Sequence, residues 1–204
     1  MDLWTLIPAY LLGSIPVGVW VSRAAGVDIR RVGSGNPGFT NVYRSVGKLP
    51  GLIVLAGDIG KGALAVAIAR RAGAGEAVLV LAGLAAVAGH VWSLFLRFRG
   101  GKGVATAAGV ILCLLPLEAF VCLLLFAAVV GWSGYVSLGS ISAAAALPVV
   151  TAAVALLRGD YPSLPYLLLT LLVAAVILLR HRSNITRLRE GRENRFSLRR
   201  GNGR

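Results

Sequence analysis

Two glycine-rich segments carry the residue types that bind phosphate groups. Residues 33–38 have the sequence Gly-Ser-Gly-Asn-Pro-Gly and are followed by Thr40, Asn41 and Arg44, and residues 100–103 have the sequence Gly-Gly-Lys-Gly. Glycine lets backbone N–H groups converge on an anion, and nearby lysine or arginine supplies the countercharge. Each segment alone also fits an ordinary polar connection between helices. Together they predict a site that handles phosphate groups.

Charged and polar residues also occur inside apolar stretches. Asp58 and Lys61 are three residues apart, so a helix places them on one face. A charge at that depth needs a partner, which is either an ion pair between the two or a phosphate facing Lys61. His90 comes just before the second glycine segment and fits a general base, an orienting hydrogen-bond partner or a structural residue.

Two further polar groups follow later in the chain. Ser137 and Ser140 flank a third glycine-containing connection, and Ser140 stands where it either caps the next helix or contacts a ligand. Residues 181–185, His-Arg-Ser-Asn-Ile, follow the last apolar stretch. By composition alone this group also fits the basic flank that stops translocation of a membrane segment.

Composition places the chain in a membrane. Of its 204 residues 57% are hydrophobic and 14% are charged, which is wrong for a water-soluble domain. The net charge of +13 is concentrated in short loops and in the tail, so lipid headgroups explain it better than nucleic acid. Cys113 and Cys122 lie in apolar stretches without metal-ligand spacing and are expected to be inert.

The apolar stretches predict an all-α fold, a polytopic transmembrane bundle of about seven helices with glycine-rich loops on the cytoplasmic side. The first stretch is expected to remain as an anchor, and Pro116 is expected to break the fourth from the fifth. We expect a single domain over residues 1–204, in which 182–204 form a basic, partly frayed tail resting on headgroups. The predicted spans are 3–21, 51–69, 77–95, 104–115, 117–130, 141–157 and 164–179.

Charge asymmetry predicts the orientation of these spans. With seven spans, 17 lysines and arginines fall on one side of the membrane and three on the other. The positive-inside rule then gives an external N-terminus and a cytoplasmic C-terminus. Both glycine segments and residues 131–140 fall on the cytoplasmic side. Irregular backbone there must be buried in protein or line a wet cavity.

The motifs taken together resemble the bacterial acyl-phosphate-dependent glycerol-3-phosphate acyltransferases, the PlsY family. The resemblance covers nearly the whole chain and includes residues 13–16, 33–41, 58–62, 89–90, 100–103 and 181–185 in family order. It implies an inner-membrane enzyme that moves an acyl chain from acyl phosphate to the sn-1 hydroxyl of glycerol 3-phosphate. The products would be lysophosphatidic acid and phosphate.

The resemblance also implies roles for individual residues. Two positions depart from the family pattern, Phe39, where a small residue is usual, and Ser93, where proline is common. Phe39 is expected to narrow the pocket or to change how the first glycine segment packs. The expected catalytic residues are Lys102, Ser140, His90 and Arg44. The expected substrate-binding residues are Ser34, Gly35, Asn36, Thr40, Asn41, Lys61, Gly100, Gly101, Gly103, His181 and Asn184.

Other acyl-transfer mechanisms find no support in the sequence. The His-x-x-x-x-Asp pair of other glycerophosphate acyltransferases is missing, because Phe95 follows His90 and Thr186 follows His181 at the acidic position. No serine–histidine–acid motif or catalytic cysteine is evident, so direct attack without an acyl-enzyme is expected. The proton would go to a phosphate oxygen of the donor, with His90 as the competing base.

Two rival functions remain at this stage. A transporter for a phosphorylated metabolite would also use charge within the membrane, and a non-catalytic lipid-binding scaffold is the third candidate. Against the transporter stand the lack of a detectable repeat and the concentration of polar residues on one side. The expected partners are acyl phosphate, glycerol 3-phosphate and membrane lipids. No nucleic acid, obligate protein partner, cofactor or metal is expected.

Overall fold

The computed structural model describes residues 3–196, and the regular structure among them is helical. Two short 3-10 segments, Leu3–Thr5 and Leu94–Leu96, accompany the α-helices. The α-helices are α1 (Leu6–Ser14), α2 (Val17–Ala24), α3 (Phe39–Ser45), α4 (Lys48–Arg71), α5 (Glu76–Val91), α6 (Val104–Leu114), α7 (Pro116–Ser133), α8 (Val136–Leu157), α9 (Leu164–Arg180) and α10 (Arg182–Arg189).

The all-α membrane bundle predicted from the sequence is confirmed. All seven predicted apolar stretches are helical, and within residues 3–196 five helical segments are long and apolar enough to cross a membrane. A sixth is added if α9 and α10, which meet at a bend of 57°, count as one span. α6 has 11 residues and is therefore only about 16 Å long, shorter than a hydrocarbon core.

The first predicted span is broken in the middle. α1 ends at Ser14 and α2 starts at Val17, because Pro16 lacks the N–H that a continuous helix requires. Two carbonyl oxygens at this break accept hydrogen bonds from side chains. Lys61 Nζ donates to the Ile15 oxygen at 3.0 Å, and Ser93 Oγ donates to the Ser14 oxygen at 2.6 Å. The backbone oxygens at the break thus accept hydrogen bonds from within the protein, as polar groups in a low-dielectric environment require.

Glycines bring two pairs of helices into backbone contact. A Cβ placed on Gly62 of α4 would lie 2.2 Å from the carbonyl oxygen of Thr106 in α6, and one on Gly109 of α6 would lie 2.0 Å from the oxygen of Ile59. Between α1 and α5, a Cβ on Gly89 would lie 2.2 Å from the Tyr10 oxygen. Such close crossings are typical of small residues at helix interfaces in membranes. They hold α4 against α6 and α1 against α5.

The connection between α7 and α8 is shorter than predicted. The helix break at Pro116 is confirmed, but α7 continues to Ser133, and Gly134 with φ of 75° ends it before α8 begins at Val136. Residues 131–140 are therefore mostly helical. Capping of the next helix by Ser140 is wrong, because this residue lies one turn inside α8 and its hydroxyl donates to the Val136 oxygen at 2.9 Å.

The chain after α9 turns back onto the protein. Residues 182–189 form α10, and the Phe196 N–H donates to the Gly134 oxygen at 2.7 Å. The predicted frayed tail on lipid headgroups is thus wrong for residues 182–196, because polar and aromatic contacts hold them against the bundle. Residues 197–204 of that tail lie outside the described residues.

Candidate active site

A cavity of about 390 Å³ opens where the predicted polar segments meet. The first glycine segment and α3 form one side of it. The loop before α6, the start of α8, and α10 with the residues that follow it form the other sides. The topological prediction that these segments share one side of the bundle is thereby confirmed. The predicted site residues that line this cavity are Ser34, Asn36, Thr40, Asn41, Arg44, His90, Lys102, Gly103, Ser140, His181 and Asn184.

The same cavity has a long apolar end. α6, α7, α8 and α9 each contribute aliphatic or small side chains to it, so this end runs into the membrane-spanning part of the bundle. On α7 the lining positions extend from Phe126 to Ala119, a rise of about 10 Å along the helix. A molecule with a polar head and an alkyl chain therefore fits this cavity better than a small hydrophilic metabolite does.

Asn41 shapes the first glycine segment from within. Its Nδ2 donates to the backbone oxygens of Val32 at 3.0 Å and Ile29 at 3.3 Å, and its Oδ1 accepts the Ser34 N–H at 3.0 Å. Because these groups are used within the loop, Asn41 builds the site rather than offering its amide to a ligand. Gly35 has φ of 69° and turns the chain, but it does not line the cavity.

Two glycines of the second segment pack against α5 instead of facing the cavity. The N–H groups of Gly100 and Gly101 donate to the backbone oxygens of Val91 and His90, each at 3.1 Å. A Cβ on Gly101 would lie 2.2 Å from His90 Nε2. The expected use of these two N–H groups in anion binding is therefore not supported, because the end of α5 already accepts them. Gly103, with φ of 86°, turns the chain into α6 beside Lys102.

Lys102 is held by a network that reaches the end of the described chain. Its Nζ donates to Asn184 Oδ1 at 2.5 Å, and Asn184 Nδ2 donates to Glu193 Oε1 at 2.7 Å. The other carboxylate oxygen of Glu193 accepts from Arg187 Nε at 2.7 Å. The ammonium group thus lies in the cavity lining at a position that several segments define.

The pKa of Lys102 is lower than that of an exposed lysine. Burial lowers the pKa of Lys102 to about 8, Glu193 opposes this shift, and the positive charges of Arg187 and other arginines reinforce it. Burial would raise the pKa of Glu193, but hydrogen bonds from Asn184 and Arg187 outweigh it and lower that pKa. A dianionic ligand beside Lys102 would stabilise the ammonium form, since an opposite charge nearby favours the charged state.

Lys61 takes part in a separate buried network. Its Nζ lies 2.8 Å from Asp58 Oδ1, and the same oxygen lies 3.6 Å from His90 Nδ1, which is also 3.1 Å from Thr106 Oγ1. The ion-pair alternative for Asp58 and Lys61 is therefore the one observed. Lys61 does not line the main cavity, because its ammonium group is turned toward Asp58 and the Ile15 oxygen at the helix break.

Five polar residues that line the cavity were not among the expected catalytic or substrate-binding residues. Arg187, Glu193 and Asn194 line the cavity, as do Ser137 and Asp58. A carboxylate among the many arginines after residue 180 was the available signal, since such a group tends to pair with one of them.

Comparisons with known proteins agree with this geometry. A sequence model of one protein family, described as glycerol-3-phosphate acyltransferase, matches residues 3–191. A glycerol-3-phosphate acyltransferase of Geobacter sulfurreducens is 50% identical over 191 residues, covering 92% of this chain and 94% of that protein. A protein of the same name from Rubrobacter xylanophilus is 44% identical over 203 residues, covering 100% of this chain and 99% of its own.

Two solved structures share the fold. One is a crystal structure of PlsY, an integral membrane glycerol 3-phosphate acyltransferase, in its glycerol 3-phosphate form; it has a TM-score of 0.87 and 42% identity, covering 96% of this chain and 95% of its own. The other is the lysophosphatidic acid form of PlsY, with a TM-score of 0.84 and 41% identity at the same coverage.

Proposed function

The chain belongs to the glycerol-3-phosphate acyltransferase family, and from that premise we propose that it takes its acyl group from an acyl phosphate and transfers it directly to the sn-1 hydroxyl of glycerol 3-phosphate. As a member of this family it is a multi-pass membrane acyltransferase of phospholipid synthesis. The acyl-phosphate donor and the direct attack are the new parts of the proposal.

One observation carries the choice of donor. A single cavity joins an end lined by Arg44, Lys102 and Arg187 to an end lined by aliphatic side chains of four helices. An acyl phosphate has the same two parts, a charged head and an alkyl chain, and its head occupies far less space than that of an acyl thioester of coenzyme A. Both substrates then present a phosphate group to the basic end.

The proposed reaction is one displacement at the acyl carbon. The sn-1 hydroxyl oxygen of glycerol 3-phosphate attacks the carbonyl carbon, and a tetrahedral oxyanion forms. The bond from this carbon to the phosphate oxygen then breaks, leaving the acyl ester and inorganic phosphate. The hydroxyl proton passes to an oxygen of the donor's phosphate, which has a second pKa of about 6 by analogy with other phosphomonoesters.

The polar lining supplies positioning and charge stabilisation in this proposal. Lys102 and Arg44 neutralise the phosphates and stabilise the developing oxyanion and the departing phosphate. Ser34, Asn36 and Thr40 are hydrogen-bond partners for phosphate oxygens on the α3 side. On the other side the second N–H of Asn184 Nδ2 is such a partner. Ser140, whose hydroxyl donates to the Val136 oxygen, and His181, whose Nδ1 lies 2.8 Å from the Ile177 oxygen, shape the pocket instead.

His90 has a positioning role in this proposal. Its Nδ1 faces Thr106 and Asp58, and its Nε2 lies against Gly101. Nδ1 is thus engaged by protein groups that fix the ring, which supports a positioning role for His90 and substrate-assisted proton transfer.

His90→Gln is expected to retain at least about a tenth of the wild-type kcat, because the donor phosphate accepts the proton. Single-turnover and steady-state rates of the purified variant measure this. Thr106→Val, which removes the ring's hydroxyl partner, is the matched control for disturbed packing. A loss of more than about 10²-fold in kcat with His90→Gln, in protein as stable as the control, would assign the base to the histidine.

The donor is tested with purified full-length protein and labelled glycerol 3-phosphate. With palmitoyl phosphate we expect lysophosphatidic acid and stoichiometric phosphate, and with palmitoyl-CoA no product above background. Rapid quenching is expected to find no acylated protein. Product from palmitoyl-CoA alone would refute the donor, and a chemically competent acyl-enzyme would refute direct attack. Uptake of glycerol 3-phosphate into sealed vesicles without product would select a transporter.

The membrane location is also part of the proposal. Clustering of 17 lysines and arginines on one side supports an external N-terminus and a cytoplasmic site in a bacterial inner membrane. We further propose that residues 1–204 act as one domain without an obligate protein partner. A cytoplasmic site would face the compartment in which glycerol 3-phosphate is dissolved.

A further inference from the structure

Three aromatic rings join the start of α3 to the end of the described chain. The ring centroids of Phe39 and Tyr43 are 5.5 Å apart, those of Phe39 and Phe196 are 6.1 Å apart, and those of Tyr43 and Phe196 are 5.2 Å apart. These separations lie in the range where tilted and edge-to-face rings attract one another. We call Phe39, Tyr43 and Phe196 the aromatic cluster.

The segment that ends in this cluster is also fixed on its other side. The Phe196 N–H donates to the Gly134 oxygen at 2.7 Å. The Arg195 guanidinium lies 5.5 Å from the centre of the Tyr135 ring, and its Nε donates to the Tyr135 hydroxyl at 3.3 Å. Residues 190–196, the strap, are therefore tied both to α3 and to the connection between α7 and α8.

Between α10 and these ties, the strap contributes to the cavity itself. Glu193 and Asn194 line it, and the Glu193 carboxylate holds Asn184 and Arg187. Asn184 in turn accepts the hydrogen bond of Lys102. The position of the Lys102 ammonium therefore depends on the position of the strap, because Glu193 holds Asn184 and Asn184 holds Lys102.

We propose that Phe39 and Phe196 are positioning residues for the phosphate end of the site. They hold the strap so that Glu193 keeps Asn184 and Lys102 in their binding arrangement, and they act through those groups without donating or accepting a proton. Phe39 itself lines the cavity, whereas Phe196 does not, so a change at Phe196 acts only through the strap. The inference rests on the proposed role of Lys102 at the substrate phosphates.

The test compares Phe196→Ala and Phe39→Ala with Phe120→Ala in the full-length protein. Phe120 is 56% exposed on α7 and does not line the cavity. We expect both cluster variants to lower kcat/KM for glycerol 3-phosphate about fivefold to tenfold, because Lys102 is displaced from the substrate phosphates. Hydrogen exchange at residues 190–196 should become several-fold faster. Phe120→Ala should change neither the kinetics nor the hydrogen exchange of the strap. Phe196→Tyr keeps the aromatic ring and should therefore show wild-type kinetics and exchange.

Two results would overturn the inference. One is unchanged exchange in the strap of Phe196→Ala, and the other is a wild-type kcat/KM in a Phe196→Ala protein whose strap does exchange faster. Phe196 lies outside the helices, so its variant serves even if Phe39→Ala fails to fold. Wild-type protein that makes no lysophosphatidic acid would instead refute the proposed function, and the exchange measurement would still decide whether the cluster holds the strap.

Discussion

Lys102→Ala should lower kcat/KM by about 10²–10³-fold, a loss of about 3–4 kcal/mol in transition-state stabilisation. The ammonium is buried in the lining and donates to Asn184 at 2.5 Å, so its removal takes a desolvated positive charge from the phosphate end. Initial rates at pH 7, below the pKa of about 8, measure the effect with the wild-type lysine predominantly charged.

Lys48→Ala provides the matched control for Lys102. Lys48 is an exposed lysine at the first position of α4, and it does not line the cavity. Its variant should keep kcat/KM within about twofold of the wild type. Lys102→Arg should recover little activity, because a planar guanidinium replaces a compact ammonium beside Asn184. If Lys102→Ala kept a third of the wild-type kcat/KM while melting normally, the charge would have no direct role in the reaction.

Gly62→Ala should destabilise the protein by about 3 kcal/mol and abolish most activity. Its new Cβ would meet the Thr106 carbonyl oxygen at 2.2 Å, a backbone atom that moves only if α4 and α6 separate. Separation would displace the beginning of α6 and with it the loop that carries Lys102. A thiol-reactive dye, which reports exposure of Cys113 and Cys122, should show a fall in Tm of about 5–10 °C.

Gly60→Ala separates this steric effect from a general cost of replacing glycine in α4. Gly60 lies two residues away on the same helix, and a Cβ there would have nothing within 4 Å. Its variant should have unchanged or slightly higher stability, because alanine favours the helix over glycine. Equal Tm values for the two alanine variants would show that the helices tolerate a wider crossing than their backbone contact implies.

The location of the candidate site was predictable, because successive membrane-spanning helices alternate in direction, so every second connection lies on the same side of the bundle. Apolar lengths identified seven helical stretches, and the position of lysine and arginine in alternate connections brought both glycine segments together. Which side chains pair with one another within the candidate site could not be predicted in this way. Glu193 meets Asn184 only because α10 turns back at a bend of 57°, and neither hydrophobic pattern nor charge count encodes that angle.

The errors came from backbone groups whose partners lie far away in sequence. Gly100 and Gly101 have the composition of an anion-binding loop, yet their N–H groups satisfy the carbonyl oxygens at the end of α5. Lys61 donates to the carbonyl oxygen of Ile15 at the Pro16 break between α1 and α2. In each case the partner of the polar group comes from a distant part of the chain. Local residue types could therefore indicate that a polar group needed a partner, but not which group that partner would be.

The exposed position of α7 affects how the enzyme can be assayed. Glu118 is the one buried residue that this helix has, while Ala119, Cys122 and Phe126 form a wall of the apolar part of the cavity. A helix whose outer face is exposed thus separates the apolar part of the cavity from the surroundings of the bundle. A detergent with a single alkyl tail resembles the acyl chain of the proposed donor, and we expect it to compete for the apolar part of the cavity. Apparent affinities for the donor will therefore vary with micelle concentration, whereas nanodiscs will report them against natural lipid.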